Sequence, residues 1–348
     1  MIKMDNIIEE DLRRMYEAEL PWKMLAGKTV LVTGATGMLA VYATWLLLYL
    51  HEYKHINVNV VALCRNRLKA EQYFAQFIGK DYFCILLQDV CLPIQYEGSV
   101  NYVFHLAGNA SPYFITTDPV GIMKCNLQGT ISVLELAKQK KCEKILFAST
   151  REVYGKNESS ESMTEKDFGV LDPLDVRSCY PESKRAAETL LRSYYLQYGI
   201  NYNILRIAHA YGPTMNLEND GRVMADFMSD IVKKRNIVIK SQGDAIRAFI
   251  YITDVVVGMF TALFKGEDAT AYNLANEQEP ISIKDLAELL TNLNPTTKVI
   301  INIPHDNEKG YCTYRRKALN TKALEKIGWS PKISLEEGLQ RTYFCKKR

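Results

Sequence analysis

Short apolar runs alternate along the chain with longer segments in which apolar positions recur at helical spacing. Runs of the first kind are typical of strands buried in a parallel sheet, and segments of the second kind are typical of helices that cover it. The sequence predicts strands at residues 28–33, 58–63, 83–87, 100–106, 144–148 and 202–207. It predicts helices at 41–53 and 119–140, one that opens at Tyr180, and two more that end at Lys233 and Phe264. This alternation indicates an α/β protein with a doubly wound parallel sheet, a Rossmann-like fold.

Another apolar stripe lies among charged residues before the first strand. Its spacing predicts an amphipathic helix, and its members are Ile7, Ile8, Leu12, Met15, Tyr16 and Leu20. Such a face needs a partner surface, either on the body of the chain or on another subunit. We favour the body of the chain.

A glycine-rich turn joins the first strand to the first long helix. Gly34 and Gly37 allow the backbone to approach a pyrophosphate at the N-terminus of that helix, and Ala40 takes the place of a third glycine. The sequence therefore predicts a dinucleotide site at this turn. The residues assigned to it are Gly34, Thr36, Gly37, Met38 and Leu39.

The ends of the next strands supply the other candidate cofactor contacts. The second strand ends without the acidic residue that would hold the ribose hydroxyls of NAD, and Arg65 there suits the 2′-phosphate of NADP. NADP is therefore modestly favoured over NAD, although Arg65 could instead stack on the adenine or face solvent. Asp89 could accept a hydrogen bond from the adenine amino group. The remaining predicted cofactor contacts are Val90, Leu106 and Ala107.

Two segments carry the candidate catalytic groups. Residues 149–155 (Ser-Thr-Arg-Glu-Val-Tyr-Gly) follow a predicted strand, so their hydroxyls lie at a strand's carboxyl end, where open α/β sheets bind ligands. Tyr180 and Lys184 are four residues apart and share one face of the next helix. A nearby ammonium ion favours the phenolate form of tyrosine, which could then act as a base near neutral pH. This chemistry would remove an alcohol's proton while its hydride passes to nicotinamide.

Composition narrows the functional classes. A chain of 348 residues that is 47% hydrophobic can bury the core of one large or two fused domains, and a net charge of +3 without a basic block disfavours nucleic acid binding. The eight cysteines include no Cys-x-x-Cys pair and no signal peptide opens the chain, so we expect a cytoplasmic protein. The longest apolar stretch, residues 39–50, is too short to span a membrane. The sequence predicts no metal site, and it predicts that His105 is a core residue.

The motifs occur in the order seen in a known family. They read Thr-Gly-x-x-Gly, His-Leu-Ala, Ser-Thr-x-Glu-Val-Tyr-Gly, Tyr-x-x-x-Lys, Tyr-Gly-Pro and Arg-x-Phe-x-Tyr-x-x-Asp. Over about residues 27–340 the chain resembles the extended short-chain dehydrogenase/reductase family of nucleotide-sugar epimerases, dehydratases and decarboxylases. Within it, segments 110–112, 220–223, 247–249 and 315–317 are most similar to the UDP-glucuronate decarboxylases.

This resemblance implies a nucleotide-diphosphate sugar as substrate and a bound NAD or NADP that transiently oxidises sugar C4. Tyr180 would be the base, with Lys184 beside it, and Thr150 would polarise the C4 oxygen. Glu152 and Arg247 would serve the chemistry around C5, where the 4-keto uronic acid loses carbon dioxide as a β-keto acid. The residues implied in substrate binding are Ser111, Arg151, His209, Arg222, Val223, Arg247 and Arg315.

The resemblance also implies a domain organisation and a homodimer. It places an N-terminal extension at 1–26, a dinucleotide-binding domain at 27–207 with a return at about 237–264, and a smaller α/β nucleotide-sugar lobe at 208–236 and 265–348. Relatives often dimerise through a four-helix bundle that includes the helix of Tyr180. Apolar positions on that helix fit this pairing and fit core packing equally well, namely Leu190, Leu191, Tyr194 and Tyr195.

Arg151 bears on the choice of reaction. The 4,6-dehydratases of the family have an aspartic acid there, which protonates the leaving hydroxyl, whereas an arginine cannot be a general acid at neutral pH. Dehydration is therefore disfavoured. Arg151 could hold a substrate carboxylate, or it could point away and only neutralise Glu152. Arg151 and His209 replace the Ser and Asn that are common in the decarboxylases. A decarboxylase is the favoured reading, a C4, C3 or C5 epimerase is the alternative, and a non-catalytic scaffold is a remote third.

Overall fold

A computed structural model describes residues 6–157, 161–303 and 317–347. In chain order, the described strands are β1 (Thr29–Thr33), β2 (Asn59–Cys64), β3 (Phe83–Leu87), β4 (Tyr102–His105), β5 (Lys144–Thr150), β6 (Ser162–Met163), β7 (Tyr202–Ile207), β8 (Ala210–Tyr211), β9 (Ile237–Ile239), β10 (Ile246–Arg247), β11 (Ile250–Tyr251), β12 (Thr270–Leu274), β13 (Ile281–Ser282), β14 (Val299–Ile301) and β15 (Ala318–Leu319). The described α-helices are α1 (Asn6–Glu17), α2 (Met38–Lys54), α3 (Arg67–Phe74), α4 (Pro112–Thr117), α5 (Pro119–Lys140), α6 (Cys179–Tyr198), α7 (Val223–Val232), α8 (Ile252–Lys265), α9 (Ile283–Thr291), α10 (Lys322–Lys326) and α11 (Leu335–Lys346).

Seven of these strands form one sheet in the order β12-β7-β5-β4-β1-β2-β3. Every neighbouring pair in it is parallel. The chain winds outward in both directions from β1 and β4, which is the arrangement of doubly wound sheets. The predicted fold class is thereby confirmed. Ligands in such sheets bind at the carboxyl ends of the strands, near the point where the strand order reverses.

The helices bury the sheet from both sides and create two apolar cores. Val30 of β1 lies in one core with Phe260 of α8. The next residue, Leu31, lies in the other core with Leu134 of α5 and Leu191 of α6. All five residues of β1 are buried, because successive side chains of a strand point to opposite faces and both faces are covered.

Most predicted elements agree closely with the structure. The bounds of β3, β7 and α5 are those predicted. Helix α2 begins at Met38, directly after its N-cap Gly37, which is three residues earlier than predicted. Helix α4 was not predicted, because six residues are too few to show a helical period. Strand β12 is the edge of the central sheet, although it lies in the range 265–348 expected for the smaller lobe, because five of its residues pair with β7.

Helix α1 docks on the body of the chain, as predicted. Its apolar side lies in the core that α2 and α8 share. Asp11 of this helix is fully buried and accepts hydrogen bonds from the hydroxyls of Tyr42 and Tyr251, both over 2.8 Å. Nε of Arg341 donates to the same carboxylate over 2.9 Å. The carboxylate thus joins α1 to α2, β11 and α11.

The C-terminal half adds shorter elements beyond the sheet. Strand β9 pairs with β14, and β10 pairs with β13, while α7 packs against α9 and α11. Across the described ranges, no helix combines the length and the apolar character that crossing a membrane would require. The same part of the chain contains no group of three or more His, Cys, Asp or Glu residues that could hold a metal ion.

Candidate active site

The end of β5 and the start of α6 bring three of the predicted groups together. The hydroxyl of Thr150 donates a hydrogen bond to Tyr180. Nζ of Lys184 donates to the backbone carbonyl of Ala148 over 2.8 Å. Thr150, Tyr180 and Lys184 are all buried. A hydroxyl, a phenol and an ammonium group therefore share one site at the carboxyl end of a central strand.

The ionisation of Tyr180 differs from the expectation. Burial raises the pKa of Tyr180 to about 12, although the hydrogen bond from Thr150 and two nearby arginines act to lower it. Burial also lowers the pKa of Lys184 to about 8. The ammonium of Lys184 is bonded to the carbonyl of Ala148, and it does not produce the lowered tyrosine pKa that the spacing suggested.

Glu152 is held by an arginine that the sequence motifs did not reveal. Nη2 of Arg177 lies 2.7 Å from Oε1 and 2.9 Å from Oε2 of Glu152. The side chains of Arg177 and Glu152 are 13% and 15% exposed. Both act on the ionisation of Tyr180, whose pKa Glu152 raises and Arg177 lowers. The one sequence signal for Arg177 is its position three residues before Tyr180, just ahead of α6.

Arg151 extends to a different part of the chain. Its Nη2 donates to the carbonyl oxygen of Lys317. Burial raises the pKa of Glu277, and the charge of Arg151 opposes that rise, so the two side chains are near each other. The guanidinium that pairs with Glu152 is the one of Arg177.

The loop before α7 carries further predicted substrate residues. Both carboxylate oxygens of Asp220 accept from Arg222, with Nε at 2.5 Å and Nη2 at 2.8 Å. Arg222 is close enough to Tyr180 to lower its pKa. Oγ of Ser111 donates to the carbonyl of Asp220 over 2.5 Å, so this hydroxyl holds the loop in place. Val223 is the first residue of α7.

A cavity of about 680 Å³ opens beside this loop, between α4 and the outer face of α7. Its walls carry four carboxylates and two cationic side chains, which are Glu218, Asp220, Asp226, Asp230, Lys233 and Arg235. Three of these carboxylates are paired with cations, Asp220 with Arg222, Glu218 with Lys233 and Asp230 with Arg235. Burial raises the pKa of the fourth, Asp226.

His209 and Arg247 lie on neighbouring segments of the chain. Nδ1 of His209 is 3.0 Å from the carbonyl of Ala248, and its ring lies 5.6 Å from the ring of Phe249. Arg247 precedes Ala248, and its Nη1 donates to the preceding carbonyl over 2.7 Å. Among the described residues, these contacts join His209 to the Arg247 segment. Arg315 lies outside the described residues.

The turn after β1 has the shape that a dinucleotide needs. Gly34 has φ of +64°, and a Cβ atom there would lie 2.8 Å from Cα of Ala107, so a side chain would force the two loops apart. No side chain within the described residues caps the start of α2 at Gly37, so its first backbone N–H groups are placed for an anionic ligand. The predicted cofactor residues at this turn are Gly34, Thr36, Gly37, Met38 and Leu39.

A buried chain of hydroxyl and imidazole groups fixes the loop after β4. Oγ1 of Thr33 accepts from the backbone N–H groups of Leu106 and Ala107, over 3.2 and 3.1 Å. It also contacts Nδ1 of His105 at 2.8 Å, while Nε2 of His105 contacts the hydroxyl of Thr130 at 3.1 Å. Burial lowers the pKa of His105 to about 3. His105 is therefore a neutral core residue, as predicted.

A buried polar atom beside Lys184 supports the fit of a cofactor. Oδ1 of Asn126 has no partner among the described residues, while its Nδ2 donates to Oγ of Ser183 over 2.9 Å. A Cβ atom on Gly108 would lie 3.1 Å from this Oδ1 and 3.3 Å from Nζ of Lys184. The bare backbone of Gly108 and the unsatisfied acceptor leave room and polarity for a flat amide such as nicotinamide. The residues present therefore fit a nicotinamide dinucleotide.

The predicted adenosine end of the site contains a loose ion pair. Nη1 of Arg65 lies 3.4 Å from Oδ2 of Asp89, and the side chain of Arg65 is 77% exposed. The backbone N–H of Cys91 donates to Asp89 over 2.9 Å, which lowers the pKa of that carboxyl. Val90 is buried and lies where a Cβ atom on Gly129 of α5 would touch it.

Known proteins are similar to this chain over most of its length. Residues 30–275 match the model of the NAD dependent epimerase/dehydratase family. UDP-glucuronic acid decarboxylase 5 of Arabidopsis thaliana is 38% identical over 280 residues, which cover 78% of each chain. UDP-glucuronic acid decarboxylase 1 of Xenopus tropicalis is 33% identical over 323 residues, which cover 92% of this chain and 73% of that protein.

Solved structures share the fold. UDP-glucose 4-epimerase of Thermotoga maritima, solved with UDP-glucose, has a TM-score of 0.78 at 24% identity and covers 91% of this chain and 99% of its own. The dTDP-glucose 4,6-dehydratase of Streptomyces venezuelae, solved with NAD, has a TM-score of 0.76 at 21% identity, with 91% and 96% covered. The matched family model spans most of the chain and its relatives exceed 30% identity, so this protein belongs to the NAD dependent epimerase/dehydratase family of enzymes.

Proposed function

We propose that this enzyme removes carbon dioxide from a nucleotide-linked uronic acid, with UDP-glucuronate as the first candidate substrate. The observation that carries the proposal is the cluster around Tyr180, in which Glu152 and Arg177 form a sheltered ion pair and Arg222 adds a second guanidinium. Each guanidinium is paired with a carboxylate of the chain, Arg177 with Glu152 and Arg222 with Asp220, and both still lower the pKa of Tyr180. The relatives named UDP-glucuronic acid decarboxylase support the same reaction.

The residues of the chain fit the first step of this reaction. Tyr180 would take the proton of the sugar C4 hydroxyl, and the hydroxyl of Thr150, already bonded to Tyr180, would polarise the same oxygen. A bound nicotinamide cofactor would supply the hydride chemistry at C4. Lys184 would hold the cofactor's position and contribute positive charge beside Tyr180. Because burial raises the pKa of Tyr180 to about 12, the base needs the cationic surroundings that Arg177, Arg222 and a bound cofactor supply.

The second step needs no general acid at position 151. A ketone at C4 makes the C5 carboxylate that of a β-keto acid, so carbon dioxide leaves as electrons move into the C4 carbonyl. The enolate that remains takes a proton from water at C5, which restores the C4 ketone for the return of hydride. Glu152 and Arg177 would serve the chemistry at C5, and Arg247 is proposed in the same role from the resemblance. A dehydratase would need a general acid at position 151, and Arg151, which donates to the Lys317 carbonyl, cannot act as one.

An epimerase is the second candidate. Its support is the carboxylate of Glu152 beside Tyr180, since a carboxylate there could move a proton at C5 or C3 of a 4-keto sugar. Arg177 contacts both of its oxygens. A carboxylate held in this way is more suited to orienting charge than to abstracting a proton, so we place decarboxylation first.

The test is mass spectrometry of products from a panel of nucleotide sugars that includes UDP-glucuronate. Loss of the mass of carbon dioxide from a uronate is the expected result. Loss of water would contradict the argument from Arg151. An unchanged mass with a new chromatographic position would establish epimerisation instead. The cofactor released on denaturation identifies NAD or NADP in the same experiment.

We propose NADP as a modest preference over NAD. Its support is Arg65 at the end of β2, exposed and without an acidic residue in the neighbouring positions 64–67 that would bind ribose hydroxyls. Asp89 lies 3.4 Å from Arg65, and a carboxylate there competes with a 2′-phosphate for the same guanidinium. The preference therefore depends on whether Asp89 turns to the adenine, as the sequence predicted.

We also propose a homodimer that pairs α5 and α6 of two subunits. Of the four positions that fitted this pairing in the sequence, Leu191 is buried in the core and the other three pack against it. Exposed apolar residues on the two helices support the pairing instead, namely Met123, Ile131, Leu196 and Tyr198. Light scattering should report a dimer for the native chain and a monomer for Ile131→Glu. The cytoplasmic location stays a prediction from the cysteines, of which the seven described ones are free thiols.

A further inference from the structure

Three side chains of α6, spaced one turn apart, meet three consecutive residues of β5. Tyr180 accepts a hydrogen bond from Thr150, and Lys184 donates to the carbonyl of Ala148 over 2.8 Å. The third side chain is Glu188, whose Oε1 accepts from the hydroxyl of Ser149 over 2.5 Å. Residues four apart lie on one face of a helix. Glu188 therefore lies on the same helix face as Tyr180 and Lys184, and it contacts the same strand.

Glu188 is also anchored from the neighbouring strand. Arg206 of β7 is the residue paired in register with Ser149. Its Nη2 lies 2.7 Å from Oε2 of Glu188, and its Nε lies 3.2 Å from Oε1. The side chains of Arg206 and Glu188 are 14% and 12% exposed. The carboxylate of Glu188 thus joins α6, β5 and β7 at a point one turn beyond Lys184.

We propose that Glu188 is a positioning residue for the catalytic pair. Through Ser149 and Arg206 it fixes the distance between α6 and the end of β5, and its negative charge keeps Lys184 in the ammonium form. The proposal rests on the roles proposed above for Tyr180 and Lys184. Nothing in the sequence motifs required a carboxylate at this position to meet Ser149 and Arg206, since the three are brought together by the fold.

The surroundings of Lys184 show why a nearby anion matters. The groups that face it are the carbonyl of Ala148, the ring of Phe147, the imidazole of His105, the thiol of Cys125 and the carboxylate of Glu188. Burial lowers the pKa of Lys184 to about 8, while Cys125 and Glu188 act to raise it. Burial raises the pKa of the Cys125 thiol, so this thiol is neutral at pH 7 and Glu188 is the anion of the set.

These groups determine in which direction the pKa of Lys184 moves when Glu188 is neutralised. If Glu188 loses its charge, burial lowers the pKa of Lys184 further, toward neutrality. Lys184 then loses its proton at a lower pH, and any activity that needs the ammonium form declines at a lower pH. The alkaline limb of the activity profile should therefore move down in Glu188→Gln.

The experiment titrates Lys184 by NMR in enzyme labelled with ¹³C-lysine, with its signal assigned by comparison with Lys184→Arg. In Glu188→Gln we expect the midpoint to fall by roughly half a unit. The alkaline limb of kcat/KM should fall by the same amount. Because Glu188→Gln leaves Arg206 buried without its anion, the double variant Glu188→Gln/Arg206→Gln is measured as well. It removes both charges of the ion pair, so its midpoint should lie between that of the native enzyme and that of the single variant.

Ser149→Ala is the matched control, because it removes a hydrogen bond of Glu188 without changing any charge. It should lower the melting temperature and leave the Lys184 midpoint where it is in the native enzyme. A native midpoint in Glu188→Gln would overturn the proposal, and so would a midpoint in Ser149→Ala that falls as far as in Glu188→Gln. The NMR titration needs no substrate, so it decides the role of Glu188 even if the panel of nucleotide sugars gives no product.

Discussion

Replacing Arg177 with glutamine removes the guanidinium group whose Nη2 lies 2.7 and 2.9 Å from the two carboxylate oxygens of Glu152. The two side chains are 13% and 15% exposed, so most of the pair is withdrawn from water. Removing one partner of a fully buried pair costs about 3–5 kcal/mol, because it leaves the other charge uncompensated. Water reaches part of this pair, so we expect about 2–3 kcal/mol.

That energy is what holds Glu152 oriented in the site. About 1.4 kcal/mol corresponds to a tenfold change in rate, so Arg177→Gln should lower kcat by about 10²-fold. The charge of Arg177 also lowers the pKa of Tyr180, and the charge of Glu152 raises it. The acid limb of the activity profile should therefore move to higher pH in Arg177→Gln and to lower pH in Glu152→Gln. A purely structural role of Arg177 would not give opposite shifts in the two variants.

Release of carbon dioxide from the uronate identified by mass spectrometry gives kcat for Arg177→Gln. The acid limb is read in both variants from reduction of the bound cofactor in a single turnover over a range of pH, with the melting temperature measured alongside. Arg177→Lys keeps the charge and should keep the position of the acid limb. Arg13→Gln is the matched control, because Arg13 and Glu17 form an exposed pair 3.9 Å apart and such pairs contribute little. A kcat for Arg177→Gln within about threefold of the native value, with an unmoved acid limb, would refute the reasoning.

Four further variants test other parts of the site. Lys184→Met should abolish reduction of the bound cofactor, read by absorbance in a single turnover, and reduction at the native rate would exclude the proposed catalytic pair. Glu152→Gln should still reduce the cofactor and fail to release carbon dioxide, so unchanged product formation would exclude its role at C5. Arg65→Ala should weaken NADP binding more than NAD binding in calorimetry, and equal losses would contradict the 2′-phosphate contact. Burial raises the pKa of Asp254 to about 6, so the native protein binds this proton more tightly than the unfolded chain and loses stability as pH rises from its ordinary value to about 6. Asp254→Asn should lack that loss, so the change in its free energy of unfolding in urea between pH 4 and pH 7 should differ from the native change by about 2–3 kcal/mol, and the same pH dependence in both proteins would contradict this.

The spacing of apolar residues along the chain was sufficient to predict the central sheet and the helices that cover it. Strand β3 and helix α5 have the predicted bounds, because each is a continuous run whose apolar spacing depends only on local geometry. The turn at Gly34 could also be predicted from sequence. The structure gives the reason for the glycine, because a positive φ and the close approach to Ala107 leave no room for a side chain. Short elements such as α4 were not readable, since six residues carry less than two helical turns of pattern.

In the candidate site, too, local sequence patterns predicted some features and not others. Thr150, Tyr180 and Lys184 could be placed together from sequence, because the carboxyl end of a strand and the four-residue spacing on a helix fix where those side chains point. Their ionisation could not be predicted from sequence, because the pKa of Tyr180 depends on burial and on the charges of Arg222 and Arg177. These residues lie on separate segments, and no local pattern relates them.

The sequence by itself determined the order of the main elements, the glycine turn after β1 and the shared helix face of Tyr180 and Lys184, and it favoured the docking of α1 on its own chain. The tertiary structure alone decided which charges meet. It paired Glu152 with Arg177 instead of with its neighbour Arg151, it joined Glu188 to Ser149 and Arg206, and it placed β12 in the central sheet. Periodicity reports which face of an element is buried, whereas an ion pair depends on the positions of two side chains that the chain brings together only when the whole sheet has formed.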